Sequence, residues 1–534
     1  MNAEIITVII AAALWAWILP NWRRGFYVLL VFLPVIGFVS LRLYPAVWPR
    51  LLKDVLFVAP CYLGFLVAEG SWHNKIAIPR AVIIPLALFS FVVLIQTFNP
   101  SEPNWRVAAI GVKVWLFYLP FIFLGNAFFS ERTAARSIWR YMVLLTLLPC
   151  IIGLTQWLGC FVFGYAPTMK TFYGAAAYAA TQGFTLFTIG SWRYFRIPST
   201  FTYVTQYLNF LISMLIPAYI LWRTDPQTGW RRFGMMAWFL IILASYLSGA
   251  RSAYVIVTSL AILIIFLDRG LKPALLMALT VLPILFATLL LPELATRILS
   301  RANNQPVHPP VTQSPQPQLK TQTRRVHTPN LQTRTVIPPV PVPKSEITLS
   351  RRYELLMEHQ RDLGFWLKMM GSLIVDNPVD LGYTGFKESL VIAPWGKGTG
   401  TNTGAARYAY SDPGNPDTKG PFESYYAKIV YELGIPGFLC LIWFYGSIVS
   451  VGLSIRRHQA SNPPVRTIAS TILALVLVIL VYSLKGWAID LDPLNLYFWL
   501  FVGILLSLSG SAQSVTQDRH EEALVSRTQL PSAT

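Results

Sequence analysis

The chain has 534 residues, of which 54% are hydrophobic, 14% aromatic and only 13% charged. Ordinary globular chains are about a quarter charged, so this composition excludes a typical soluble domain and indicates an all-α polytopic membrane protein. The formal net charge of +19 also suits a nucleic-acid-binding protein, but basic residues in a membrane chain first follow its topology, and we expect no nucleic-acid partner.

Apolar stretches of bilayer length predict about twelve to thirteen transmembrane helices. The first ten lie near 5–19, 26–41, 55–68, 82–98, 107–124, 141–163, 201–221, 233–247, 253–267 and 274–291. The last three lie near 426–449, 468–484 and 494–508. We therefore divide the chain into helices over 1–291, one large loop over 292–424, helices over 425–509 and a tail over 510–534.

The basic residues predict the orientation of these helices. One set of alternating loops is basic and contains Arg23, Arg24, Lys75, Arg80, Arg132, Arg136, Arg140, Arg223, Arg231, Arg232, Arg269, Lys272, Arg456, Arg457 and Arg466. The positive-inside rule places this set in the cytoplasm, with Arg42, Arg50 and Lys53 as exceptions on the other side. The N-terminus and the large loop then lie outside the cytoplasmic membrane and the tail lies inside. No basic segment precedes the first span, which favours a retained helix over a cleaved signal peptide.

The large loop has three predicted parts. Residues 303–344 are rich in proline, glutamine and threonine, and predict an extended, disordered tether. Residues 351–375 have an apolar stripe at helical spacing and predict an amphipathic helix at the membrane surface. We expect a flexible loop over 376–424. Its glycine-rich segment 396–404 lacks the Gly-Lys-Ser/Thr order of a phosphate loop, so a flap over a site and a plain flexible linker are both open interpretations.

Three segments place polar side chains at the predicted outer ends of spans. The first, 196–202, contains Arg196 and Ser199 and leads into a helix that contains Gln206. The second, 248–252, contains Ser248, Arg251 and Ser252, and the third, 422–426, contains Glu423, Ser424 and Tyr425. If the predicted topology holds, all three segments lie on one face and form one site.

Two arginines suit a diphosphate group, because each guanidinium binds phosphate in a bidentate fork and keeps its charge as the leaving group becomes more negative. We assign Arg196 and Arg251 to this role and Glu423 to the removal of a proton from an attacking hydroxyl. The serines, Gln206 and Tyr425 are the expected substrate-binding side chains.

Other interpretations of these charges stay open. Arg251 is also compatible with a lipid-headgroup anchor, and Glu423 with a surface salt bridge. Glu432 is compatible with a structural role. Asp490 and Asp492 fit either a divalent cation or a pairing with Lys485. The four cysteines have no metal-type spacing and look like small core residues. We expect no cofactor.

The order of these motifs resembles the bacterial O-antigen ligase and polymerase superfamily. The residues that carry the resemblance are Arg196, Ser199-Thr200-Phe201, Gln206, Leu247 to Ser252, Asp376-Asn377-Pro378, Leu381-Gly382-Tyr383, Glu423 to Tyr426 and Glu432 to Gly437. The resemblance covers roughly residues 190–450. It implies an inverting, metal-independent glycosyltransferase that uses an undecaprenyl-diphosphate-linked oligosaccharide at the outer face of the bacterial cytoplasmic membrane. It casts Arg196 and Arg251 as diphosphate binders and implies contact with membrane lipid and with other proteins of polysaccharide assembly.

One departure from the family pattern bears on the activity. Ligases of the family have His-Asn or His-Ser before the re-entry helix, where this chain has Glu423-Ser424. We therefore expect a polymerase of a surface polysaccharide or exopolysaccharide, with an O-antigen ligase as the alternative. A transporter of lipid-linked glycans is a third interpretation, although such proteins carry charges near the membrane midplane. A structural scaffold for envelope assembly is a fourth.

Overall fold

The computed structural model describes residues 3–43, 52–68, 78–101, 104–129, 132–181, 186–189, 192–302, 379–403 and 422–509. These residues are almost entirely helical. One short antiparallel hairpin, β1 (Leu186–Ile189) and β2 (Trp192–Phe195), pairs Leu186 with Phe195. The predicted tether 303–344, the predicted amphipathic helix 351–375 and the tail 510–534 lie outside the described residues.

The helices of the first half are α1 (Ala3–Ile18), α2 (Trp22–Phe32), α3 (Ile36–Arg42), α4 (Ala59–Ala68, preceded by a π-turn at Asp54–Val58), α5 (Arg80–Gln96), α6 (Trp105–Leu116), α7 (Phe121–Phe129), α8 (Arg132–Val162), α9 (Tyr165–Tyr173) and α10 (Ala175–Thr181). The single span expected at 26–41 is instead the pair α2 and α3, bent by 59°. Pro34 lies at the bend, and proline has no N–H group with which to continue a helix.

The helices of the second half are α11 (Val204–Thr224), α12 (Thr228–Leu247), α13 (Arg251–Arg269), α14 (Leu271–Ala302), α15 (Gly385–Ile392), α16 (Tyr425–His458), α17 (Pro463–Tyr482) and α18 (Leu494–Ser509). Asn462 begins α17 by accepting a hydrogen bond from the backbone N–H of Val465. This is the usual way in which an asparagine satisfies a free amide at a helix start.

The protein is a multi-pass membrane protein by the length and composition of its helices. Six helical stretches in the described part of the chain are long and apolar enough to cross a bilayer, and the bent pair α2 and α3 makes a seventh. They are Trp105–Phe129, Arg136–Val162, Val204–Thr224, Arg251–Arg269, Tyr425–His458 and Pro463–Tyr482. Four shorter apolar helices accompany them. Large apolar side chains such as Phe91, Ile151, Leu279 and Leu439 are exposed on the outer surface of the helices, as a lipid-facing surface requires.

Helix α11 forms the centre of the bundle, because 89% of the residues in its apolar stretch are buried. Helix α17 packs against α11, α13 and α16. Helices α11, α13, α16 and α17 each have one end near segment 196–202, 248–252 or 422–426. The other end of each helix lies near a group of arginines. The bundle core therefore connects two polar clusters at opposite ends.

Candidate functional site

Two of the three predicted segments are in direct contact. The backbone N–H of Ile197 donates to the carbonyl of Ser248 at 2.9 Å. Gly249 has φ +72°, and a Cβ built there would lie 2.1 Å from the carbonyl oxygen of Phe195. Only glycine fits this turn, because a side chain would overlap the neighbouring backbone. The contact places Arg196 beside the turn that leads into Arg251.

The two guanidiniums affect each other electrostatically. Arg196 is half-buried, and the hydroxyl of Tyr165 donates to its backbone carbonyl at 3.1 Å. Burial and the positive charge of Arg251 lower the pKa of Arg196 from its ordinary value. Arg251 is exposed and is the first residue of α13, where the helix dipole adds positive potential. This concentration of positive charge suits an anion.

Lys485 is a third cation in this cluster. It follows the end of α17, and the carbonyl of Ser483 accepts a hydrogen bond of 3.0 Å from the backbone N–H of Tyr425 at the start of α16. Burial and the charge of Arg251 lower the pKa of Lys485, while the carboxylate of Glu423 acts in the opposite direction. Lys485 therefore lies within electrostatic reach of both the arginine and the glutamate, and joins the third predicted segment to the other two.

Glu423 is the carboxylate of the cluster. It is exposed and lies two residues before α16. We call Arg196, Arg251, Lys485 and Glu423 the outer cluster, after the face on which the sequence predicts their segments. Three positive charges and one negative charge, on four separate chain segments, can bind a diphosphate and leave one carboxylate for proton transfer.

Three of the expected substrate-binding side chains already have partners within the protein. Ser199 is fully buried, and its hydroxyl donates to the carbonyl of Pro149 at 2.6 Å. The side-chain oxygen of Gln206 accepts hydrogen bonds from the backbone and hydroxyl of Thr202. The hydroxyl of Ser248 donates to the carbonyl of Ser245 at 2.6 Å. These contacts shape the turns that present Arg196 and Arg251, and they do not favour substrate contact by the three side chains.

The other three expected substrate-binding residues differ in position. Tyr425 is buried, with its ring 5.6 Å from that of Trp115. Ser424 is also fully buried, and its hydroxyl has no hydrogen-bond partner among the described residues. Ser252 is half-buried and lies within hydrogen-bonding reach of Tyr482, at the end of the helix that precedes Lys485. Substrate contact by these residues stays a prediction.

The glycine-rich segment differs from the flexible flap or linker that its composition predicts. Its residues Thr399 and Asn402 are fully buried. The backbone N–H groups of Gly400 and Asn402 each donate to the carboxylate of Glu432 at 2.9 Å, and the indole N–H of Trp115 donates to the same carboxylate at 2.7 Å. Segment 396–403 is therefore folded around Glu432, which supports the structural role of that carboxylate.

The aspartates near the end of α17 have different partners from those that the sequence suggests. Asp490 pairs with buried Lys428 at 2.5 Å, and Asp492 pairs with Lys53 at 2.9 Å. Each aspartate meets a lysine on another element, so neither the divalent-cation interpretation nor the pairing with Lys485 describes them. Among the described residues, no group of three or more metal-ligating side chains lies together.

The sequence left a pairing of Lys485 with Asp490 or Asp492 open, but the structure pairs both aspartates with other lysines and places Lys485 near Arg251 and Glu423. The sequence does mark Lys485 as a candidate site residue, since it is a lone lysine that follows a long apolar helix. Its neighbours Arg251 and Glu423 lie far away in sequence, and only the packing of α17 against α13 and α16 brings them together.

Comparison with protein-family models and with curated proteins finds no match to this chain.

Proposed function

We propose that the chain is a membrane glycosyltransferase that polymerises undecaprenyl-diphosphate-linked repeat units of a surface polysaccharide or exopolysaccharide. The observation that carries this proposal is the outer cluster, in which Arg251 interacts electrostatically with Arg196 and with Lys485, and Lys485 interacts with the exposed carboxylate of Glu423. A diphosphate leaving group gains negative charge in the transition state, and fixed cations stabilise that charge most strongly in a partly dehydrated site.

The proposed reaction assigns one task to each side chain. Arg196 and Arg251 hold the diphosphate, and Lys485 adds a third positive charge beside it. Glu423 takes the proton from a sugar hydroxyl of the acceptor, which attacks the anomeric carbon of the donor. A new carbon–oxygen bond forms as the bond to the diphosphate breaks, and the configuration at the anomeric carbon inverts.

The proposed setting is the bacterial cytoplasmic membrane, with the outer cluster on its external face. We propose about twelve to thirteen spans, made up of the long helical stretches, the bent pair α2 and α3, the four shorter apolar helices, α1 and α12. The basic residues Arg223, Arg269 and Arg456 lie at the opposite end of the bundle from Arg251. This separation supports a cytoplasmic position for them by the positive-inside rule.

Analysis of the lipid-linked and polymeric glycans of a deletion strain tests this function. We expect single repeat units on the lipid carrier and no long polymer. Wild-type protein restores the polymer, while Arg251→Ala does not, although it inserts at the wild-type level. Long unattached chains would instead indicate a ligase, and glycan retained inside the cell would indicate a transporter. Normal polymer in the deletion strain would refute the proposal.

A further inference from the structure

A second cluster of arginines surrounds a cavity at the end of the bundle opposite the outer cluster. Its charged lining residues are Arg223, Asp268, Arg269, Arg456, Arg457 and Arg466, and the cavity volume is about 590 Å³. We call this cavity the arginine pocket. Helix α13 begins at Arg251 and ends at Arg269, 18 residues later, so the two clusters lie about 27 Å apart along that helix.

Part of the arginine pocket is held rigidly by the protein. Asp268 is buried and accepts hydrogen bonds of 2.8 Å from the hydroxyls of Tyr219 and Thr467. Arg223 contacts the same carboxylate at 3.5 Å, and Arg456 donates to the carbonyl of Leu267 at 2.9 Å. These two arginines are therefore fixed in place before any ligand arrives.

The positive charge of the arginine pocket exceeds its negative charge by a wide margin. Five arginines and a single aspartate line it. Arginines at the C-terminal ends of helices complement the helix dipole, which accounts for Arg223, Arg269, Arg456 and Arg457 in part. Arg466 differs, because it lies in the first turn of α17, where the dipole disfavours a cation.

Arg466 also has an unsatisfied donor. Its Nε atom is buried and has no hydrogen-bond partner among the residues that the structure describes. A buried donor without an acceptor is costly. An anion in the arginine pocket would offset the positive charge of this guanidinium and of the arginines around it.

We propose that the arginine pocket binds a phosphate-bearing ligand through a phosphomonoester or diphosphate group. Arginine forks match the oxygens of such groups, and the cavity volume lies within the usual range for small-molecule sites. The group comes either from an anionic lipid headgroup or from a soluble phosphorylated molecule on that side of the membrane. This site is separate from the outer cluster and does not depend on the proposed glycosyl transfer.

Binding measurements on the full-length protein in phosphatidylcholine nanodiscs test the proposal. Isothermal titration with inorganic pyrophosphate probes a soluble source, and native mass spectrometry after exchange with phosphatidic acid probes a lipid source. The test variant is Arg269→Gln/Arg457→Gln, which changes two exposed side chains of the pocket. The matched control is Arg231→Gln/Arg232→Gln, which removes two exposed charges of the same predicted cytoplasmic set outside the pocket.

We expect at least about a tenfold loss of affinity in the pocket variant, because charge-assisted hydrogen bonds to phosphate are lost. A loss with pyrophosphate identifies a soluble source, and a loss of retained phosphatidic acid alone identifies a lipid source. The control variant should bind both probes as the wild type does. Equal binding by the two variants, or no binding of either probe to the wild type, would overturn the proposal.

Discussion

Replacement of Glu432 by glutamine should destabilise the protein strongly, because this carboxylate joins three parts of the fold. It is fully buried and accepts hydrogen bonds from Gly400, Asn402 and Trp115 at 2.9, 2.9 and 2.7 Å. Lys428 lies close enough to interact with it electrostatically. Glutamine keeps the shape but has one oxygen in place of two, so at least one of the three donors then faces an NH2 group.

The expected cost is about 3–5 kcal/mol, the usual effect of removing one charged partner from a buried network. The assay is thermal unfolding of the detergent-solubilised protein, together with limited proteolysis within 396–403. Glu423→Gln is the matched control, because Glu423 is exposed and an exposed substitution usually changes stability by less than about 0.5 kcal/mol. We expect Glu432→Gln to lose stability and Glu423→Gln to lose transferase activity at wild-type stability. A Glu432→Gln protein with the wild-type unfolding midpoint would refute the structural role of this carboxylate.

Three further predictions concern the turn, the third cation and an ion pair at the opposite end. Gly249→Ala should reduce stability and activity together, because its Cβ would lie 2.1 Å from a backbone oxygen; wild-type melting and turnover would contradict the close contact. Donor affinity should fall as pH rises through the pKa of Lys485, which lies below its ordinary value of 10.5, since deprotonation removes a positive charge. Lys485→Gln should weaken binding and abolish that pH dependence, and an unchanged pH profile in this variant would exclude Lys485 as its source. Burial acts to raise the pKa of Asp225, but hydrogen bonds from Arg140 and the backbone of Gln227 bring it below its ordinary value of 3.8. The stability from this pair should therefore be present above pH 3.8 and be lost as pH falls through the lowered pKa; Asp225→Asn should lack this acid-dependent loss in melting experiments.

The sequence predicted the helices because burial in a bilayer requires long apolar stretches, and such stretches are local. The bend between α2 and α3 was missed although Pro34 marks it. Apolar length alone does not show whether a proline kinks a helix or ends it.

The outer cluster was predictable in part. The sequence predicts Arg196, Arg251 and Glu423 as site residues because each lies at the end of a predicted span. The sequence did not predict the partners of Lys485, Asp490 and Glu432, because each pairing depends on contacts between elements that are distant in sequence. The segment 396–403 illustrates the same limit, since its glycines are typical of a flexible linker while its fold depends on a carboxylate about thirty residues away.

Turnover of a purified undecaprenyl-diphosphate-linked repeat unit by the Arg251→Lys variant tests most directly whether Arg251 binds the diphosphate of the donor. Lysine keeps the positive charge but loses the bidentate fork. The proposed role in the outer cluster predicts a decrease in kcat/KM of about tenfold or more, equivalent to the loss of one charge-assisted hydrogen bond in the transition state. Arg106→Lys is the control, because Arg106 is an exposed arginine that stacks on Trp105 and does not belong to the outer cluster. We expect this variant to turn over donor as the wild type does. Wild-type turnover by Arg251→Lys would contradict diphosphate recognition by this residue.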